Sequence, residues 1–331
     1  MIRILYAFQG TGNGHAARAR VIVPEIAKHA SVDVATSGTN SQLSIGFPLS
    51  FRLRGLSFTS DGRGALSKWQ TVKSLRIGNA LKDIACFPIE RYDLVVNDFE
   101  PITAYAARRA GIPAIALSHQ ASFLSENTPR PAAKNPLAEA VFKFYAPAPA
   151  RLGFHFKRYA DFILPPLLRD EIRHARVENQ GHITVYLTGY DDQNLLEVLQ
   201  QLTPKPVHLF SRQARHSFSI GNVSVEQISS DRFVRSLVTC DGLLTGAGFE
   251  GPAEALHLGK KLMVVPLEGQ YEQLCNAAAL SCLGVPVITA VDESQLYRIQ
   301  EWSVTKARVD LQVPDVRQEV LDRILTLTNP G

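Results

Sequence analysis

Four cysteines in 331 residues, with no CxxC pair and no histidine at zinc-site spacing, supply neither a disulfide framework nor a structural zinc site. Cys86, Cys240, Cys275 and Cys282 all lie in apolar surroundings, the setting of free, buried thiols in a reducing compartment. Cys275 and Cys282 are seven apart on an expected helix and share a face, which does not by itself bring two sulfurs into bonding geometry. Charge is also scarce. Only 20% of residues are charged, and 35 Lys and Arg against 31 Asp and Glu leave a net +4, too little to signal nucleic acid; anionic small molecules and membrane surfaces stay open. No apolar run approaches the roughly 18 to 20 residues of a membrane span, and the run from Met1 to Phe8 breaks at Gln9-Gly10 too early for a signal peptide. No short period repeats, so a solenoid or propeller is not expected.

What is present is a folded composition, 45% hydrophobic, of a length that divides most naturally into two domains of roughly 150 residues each. Short apolar runs alternate with stretches of helical period. Ile2 to Phe8 predicts a strand, His15 to His29 a helix and Val32 to Ala35 a strand. A hairpin-like region follows through Leu56, then a helix from about Leu66 to Phe87. Asp93 to Asn97, Ile112 to Leu117 and Ala160 to Leu164 continue the strands, with a helix over Ile102 to Ala110. After Pro165-Pro166 and the charged stretch Arg169 to Glu178, the pattern restarts at Ile183. Strands are expected at Ile183 to Leu187, Val207 to Phe210, Val223 to Val225, Gly242 to Leu244, Leu262 to Val265 and Val285 to Ile288. Helices are expected near Gln193 to Leu202, Asp231 to Val238, Pro252 to Leu258 and Glu272 to Leu283. The architecture read from this is α/β: two doubly wound, Rossmann-like domains, 1–165 and 166–331, facing a cleft.

Ligands of such sheets bind at the carboxyl ends of strands. Gly10-Thr11-Gly12-Asn13-Gly14-His15 follows the first strand directly and opens a helix, so its backbone N–H groups and helix N-terminus suit an anion. A dinucleotide site would want an acid at the tip of the second strand, but that strand ends Ala35-Thr36-Ser37; a Walker A lysine is missing too. The next strand ends in Asn97-Asp98-Phe99-Glu100-Pro101, and Asp98 has two readings. It either orients His15 or caps the helix beginning at Pro101. His15 itself is a base or a helix-cap residue. Ser118-His119-Gln120 follows a further strand and either lines the same cleft or is a polar strand end.

The most specific region runs from Leu244 to Ala277. A strand enters Gly246-Ala247-Gly248, a helix carries Glu254, and a second strand ends at Val265-Pro266 before Gln270, Glu272 and Gln273. This offers a glycine-rich anion seat, a carboxylate to accept from ribose hydroxyls, and polar side chains for sugar hydroxyls. Gly248, Glu254 six residues on, Gly259 five further, Val-Pro and the pair Glu272-Gln273 together resemble the donor signature of GT-B nucleotide-sugar glycosyltransferases. Gly10 to Arg18 resembles that superfamily's N-terminal glycine loop, nearest to the branch related to the bacterial lipid-linked N-acetylglucosaminyltransferase of cell-wall synthesis.

The resemblance implies an inverting transferase that moves a sugar from a nucleotide-diphosphate sugar to an acceptor hydroxyl. His15 would be its general base and Asp98 the residue that orients it, although Asn13 interrupts the commoner glycine-glycine-histidine order. It implies donor contacts from Gly246, Gly248, Phe249, Glu254, Gln270, Glu272 and Gln273, with Ile228 reading the base through its backbone and Thr188 and Arg212 near the phosphates. Gly12, Gly14, Arg18, His119 and Gln120 would face a carbohydrate or lipid-linked acceptor. Neither a metal nor a cofactor beyond the co-substrate is expected: there is no DxD triplet and no clustered His or Cys. Residues 142–159 interleave aromatic with basic side chains and no acid. The segment suits either an anionic membrane surface or core aromatics with basic residues reaching to solvent. The expected place is the cytoplasm, with peripheral contact at the inner membrane face if the first reading holds. Two alternatives stand beside transfer: a sugar-nucleotide 2-epimerase, whose loop more often reads Ser-Gly-Gly, and an inactive nucleotide-sugar-binding protein.

Overall fold

A computed structural model of the chain describes residues 1–10, 14–38, 46–53 and 77–328. Thirteen strands form two sheets among these residues. The first sheet runs in the order β3 (Phe51–Leu53), β2 (Ser31–Ser37), β1 (Arg3–Gln9), β4 (Leu94–Asp98), β5 (Ala114–Ser118), β6 (Ala150–Phe154), β7 (Ile163–Leu164). Every neighbour pair in it is parallel. The second runs β10 (Phe218–Ile220), β11 (Val223–Gln227), β9 (Val207–Ser211), β8 (Ile183–Tyr186), β12 (Gly242–Gly246), β13 (Lys261–Val265), and only its edge pair β10–β11 is antiparallel. This is the doubly wound α/β architecture that the alternating pattern predicts.

The strands at the centre explain their own composition. β1 pairs with β2 on one edge and β4 on the other, and Ile4 to Phe8 are all buried, so the strand reads as a continuous apolar run rather than an alternating one. The helix Gly14–Ala27 covers it with Ala16, Ala19, Ile22, Val23 and Ile26, a stripe at helical spacing. The helix Pro101–Ala110 begins where the Glu100 side chain accepts from the N–H groups of Ile102 and Thr103, with proline in the first turn, and ends at Gly111, whose φ of 71° suits glycine. The last helix, Arg317–Thr326, returns to pack on Gly14–Ala27, and its Val320, Leu321 and Ile324 join Ile22 and Ile26 in one core.

Four sequence expectations change. β3 pairs with β2 in parallel, so residues 51–53 are not the return arm of a hairpin; much of that stretch, and of the helix expected from Leu66, lies outside the described residues. Val285 to Ile288 is not a strand but a single bridge, Val287 to Val264. Of the four cysteines only Cys240 and Cys275 are buried, while Cys86 and Cys282 are exposed. Within 142–159 the strand β6 went unpredicted, and Leu152, Phe154 and Phe156 lie in the core, leaving Phe144 exposed on the helix Pro136–Phe144. No helix among the described residues is long and apolar enough to cross a membrane.

Candidate active site

The order of the first sheet reverses between β1 and β4, and Phe8 stands beside Asp98 across that pair. Such a reversal opens a crevice beyond the strand ends. His15, second residue of the helix after β1, drops into it: its Nδ1 lies 2.7 Å from Oδ1 of Asp98, with Asp98 fully buried and His15 nearly so. Asp98 does not cap the following helix, because Glu100 does. Nor does His15 cap its own helix, which begins one residue earlier at Gly14. A ring nitrogen that close to a carboxylate is the one carrying hydrogen, which leaves the lone pair on Nε2.

Arg18, one turn further along the helix, donates through Nε to Oδ2 of Asp98 at 2.8 Å and through Nη2 to Oδ1 at 3.0 Å. Burial alone would raise the Asp98 carboxyl, but the adjacent Arg18 charge and the hydrogen bonds from Arg18 and His15 hold it below the ordinary carboxylate range. Arg18 also reaches the other half of the molecule, donating Nη1 to Glu250 at 2.9 Å. Each of its three guanidinium nitrogens therefore donates to a protein carboxylate. Gly14 lies against the same Glu250 carboxylate. Gly12 falls outside the described residues.

Further along the rim the two halves interlock. His119 places Nδ1 2.8 Å from the carbonyl of Phe154 and Nε2 2.8 Å from Oδ1 of Asn276, while its ring stacks on Phe249. Gln120 donates to Glu272 at 3.0 Å. Tyr271 donates to Glu139 at 2.7 Å, and Glu139 is in turn held by Arg130.

The residues expected to hold a donor lie at the carboxyl ends of the second sheet. β12 ends at Gly246, and nothing stands within 4 Å of where a side chain at Gly248 would be, so a ligand could approach the backbone there. Glu254 is buried in the helix Glu250–His257 and held side-on by Arg169, at 2.7 and 2.8 Å. Burial raises its carboxyl despite Arg169. Arg169 also touches Ser230, two residues past Ile228, which brings the β11 loop to the same place. The Ile228 N–H already donates to the Ser211 carbonyl at 3.3 Å. Gln273 accepts from the Leu267 N–H and donates to Gln270, beside Gly246. Thr188 is half-buried in the loop after β8, and Arg212 is exposed, 3.4 Å from the Tyr186 hydroxyl.

Sequence reasoning did not place Arg169, Asn276 or Glu250 in the site. Arg169 was a member of a charged stretch, and its partner lies 85 residues away. Glu250 sat beside the glycine loop, outside the motif positions.

Residues 2–304 match the family model described as Glycosyl transferase family 1. The chain belongs to that family. The enzyme is a GT-B glycosyltransferase in fold, and solved structures resemble it over nearly its whole length. Arabidopsis thaliana UGT89C1 complexed with UDP has a TM-score of 0.65 at 14% identity, covering 100% of this chain and 96% of its own. Acinetobacter baumannii MurG has a TM-score of 0.60 at 13% identity, covering 98% and 100%. Streptomyces sp. SF2575 SsfS6, complexed with thymidine diphosphate, has 0.58 at 15%, covering 97% and 100%. No curated protein matches. Membership in this family supports sugar transfer.

Proposed function

We propose that this glycosyltransferase is an inverting enzyme in which His15 is the general base, drawing sugar from a nucleoside-diphosphate donor. The observation that carries the proposal is the 2.7 Å approach of His15 Nδ1 to buried Asp98 at the reversal point of the first sheet. That pairing leaves Nε2 as the lone pair that takes the acceptor's hydroxyl proton. The acceptor oxygen forms its bond to the anomeric carbon as the carbon–phosphate-oxygen bond breaks, and the nucleoside diphosphate leaves with the electron pair. Asp98 stabilises the imidazolium formed. Imidazole suits this role because it titrates near neutrality.

The donor would lie along residues 166–331 and the acceptor along 1–165. Glu254 fits the ribose because a carboxylate offers about four acceptor positions and Arg169 takes two. Backbone N–H groups around Gly246 and Gly248 suit the diphosphate, as does the helix N-terminus that follows, so no step calls for a metal. Among the described residues, no group of three or more His, Cys, Asp or Glu could hold one. On the acceptor side, a cavity of about 550 Å³ includes Phe99, one residue beyond Asp98, and is lined by Phe123 and Phe142 together with Glu126, Glu139, Lys143 and Arg151. It suits an acceptor that carries both an apolar portion and polar groups, lipid-linked or otherwise. Phe99 has a φ of 59°, a backbone strain consistent with a shaped site.

The test is a thermal-shift screen of UDP, TDP and their sugars followed by turnover with EDTA present. A stabilising nucleotide diphosphate, a product of inverted anomeric configuration and insensitivity to EDTA are expected; retention of configuration would overturn the proposal.

A further inference from the structure

Asp98 serves three side chains at once. His15 approaches Oδ1 while Arg18 spans both oxygens, so one buried carboxylate is shared by an imidazole and a guanidinium, with the buried Tyr6 hydroxyl a third, longer donor at 3.5 Å from Oδ2. Arg18 gives its remaining Nη1 to Glu250, which belongs to the helix Glu250–His257 on the opposite side of the cleft. The site therefore holds one permanent cation between two carboxylates. When His15 takes a proton, two cations face two carboxylates and the group is balanced. Without Glu250, the same proton would leave an uncompensated positive charge in a poorly hydrated place. Arg18, held by Asp98 alone, would also draw more strongly on the carboxylate that His15 needs.

The seat of Glu250 is built into the first helix. A Cβ at Gly14 would stand 2.5 Å from Oε2 and 2.7 Å from Oε1 of Glu250, so a side chain at position 14 would make this carboxylate shift from where it meets Arg18. The φ of Gly14 is not in the left-handed region, and space rather than backbone conformation calls for glycine there.

We propose that Glu250 is a positioning residue of the transfer reaction: it holds Arg18 from across the cleft, leaves Asp98 free to hold His15, and balances the proton His15 accepts. Contact between the two halves thereby completes the base. This rests on the reading of His15 as the base, and the test separates the two.

The experiment is proton NMR of the full-length chain without ligand, following the far-downfield imidazole N–H of a histidine bound to a carboxylate. In the parent one such resonance is expected that disappears in both His15→Ala and Asp98→Asn. In Glu250→Gln it moves upfield or is lost while the circular dichroism of the fold is unchanged. Gly14→Ala gives the same result by a second route, since the methyl group pushes the Glu250 carboxylate away from Arg18 without changing any charge. An unchanged resonance in both variants overturns the role of Glu250. A parent spectrum with no resonance that depends on His15 overturns the His15–Asp98 pair itself, and with it the base.

Discussion

His119 lies flat on Phe249, ring centroids 4.0 Å apart and planes 8° from parallel, although one follows β5 of the first sheet and the other follows β12 of the second. With the His119–Asn276 contact this stack fixes the two halves against each other close to the candidate donor loop. Phe249→Ala removes a buried ring and is expected to cost about 3–5 kcal/mol of stability. Asn276→Ala, which strands a buried imidazole nitrogen, should cost about 1–3 kcal/mol. Urea unfolding of the double variant should show coupling of roughly 0.5–3 kcal/mol, as for residues sharing one contact network. Simple additivity would mean that the stack and the hydrogen bond act separately.

Arg169 and Glu254 make a second testable pair. Glu254 is buried and its carboxyl is already raised by burial, so removing Arg169 leaves a buried carboxylate without its cation. Arg169→Ala is expected to destabilise the chain by about 3–5 kcal/mol, and Arg169→Ala with Glu254→Gln should recover part of that. Calorimetric titration with UDP then separates stability from binding. Glu254→Ala should weaken a bound nucleoside diphosphate by about 1–3 kcal/mol, as a ribose loses a charged acceptor. Unchanged affinity would remove Glu254 from the donor seat.

The sequence carried the alternation of strands and helices because buried parallel strands are apolar runs and their helices have a 3.6-residue period; β1 and the helix after it are legible on those grounds. β6 was not, because its Arg151 and the neighbouring basic residues hid a strand whose Leu152 and Phe154 fill the core. Asp98 was legible as a strand-tip residue and His15 as a residue opening the helix after β1, the strand that the reversal of order makes the neighbour of β4. Which role Asp98 takes was not, for the residue that caps the next helix is Glu100, two positions on. Arg18 was expected at the acceptor, but its pairing with Glu250, like that of Arg169 with Glu254, escaped for a different reason. Their partners are set by how two sheets face each other, and no local spacing encodes a contact between residues 18 and 250.

His182 and His208, stacked 3.9 Å apart beside Ser236, give the fold a pH dependence of known sign. Burial depresses both, His182 to about 4 with help from the neighbouring His208, so the folded chain keeps them neutral. The unfolded chain protonates histidine near 6.5, so between there and about 4 it binds more protons than the folded one and stability falls as pH falls. The loss attributable to the pair should be about 1–2 kcal/mol, allowing for solvent screening. His155, depressed by burial and by His119 and Arg130, acts in the same direction. Asp98 acts elsewhere: its lowered carboxyl contributes stability that is lost only as pH falls below the ordinary carboxylate range. Urea unfolding at pH 7 and pH 4.5 should show a smaller difference in His208→Phe, which keeps a ring in the stack. An equal difference would place the acid sensitivity elsewhere.

The chemistry of the pair is tested by mutant kinetics with the donor sugar that the screen selects. His15→Ala should lower turnover by roughly 10²-fold or more while donor affinity stays nearly intact, because the donor is expected on the other half. Asp98→Asn would be the milder change if Asp98 met His15 alone, since an amide still offers the imidazole an oxygen. Arg18 alters that expectation. With the carboxylate neutralised, the guanidinium 3.3 Å from His15 Nδ1 keeps Glu250 but loses its nearer counter-charge, and it opposes the imidazolium that must form. Asp98→Asn should therefore approach the loss seen in His15→Ala, and Asp98→Asn with Arg18→Gln should recover part of it by removing the opposing charge. The double variant His15→Ala with Asp98→Asn should be no slower than His15→Ala alone, as for residues that act as one unit. Multiplying losses, or a His15→Ala enzyme that fails to bind donor yet turns over what it binds at the parent rate, would make His15 a ligand contact and not the base.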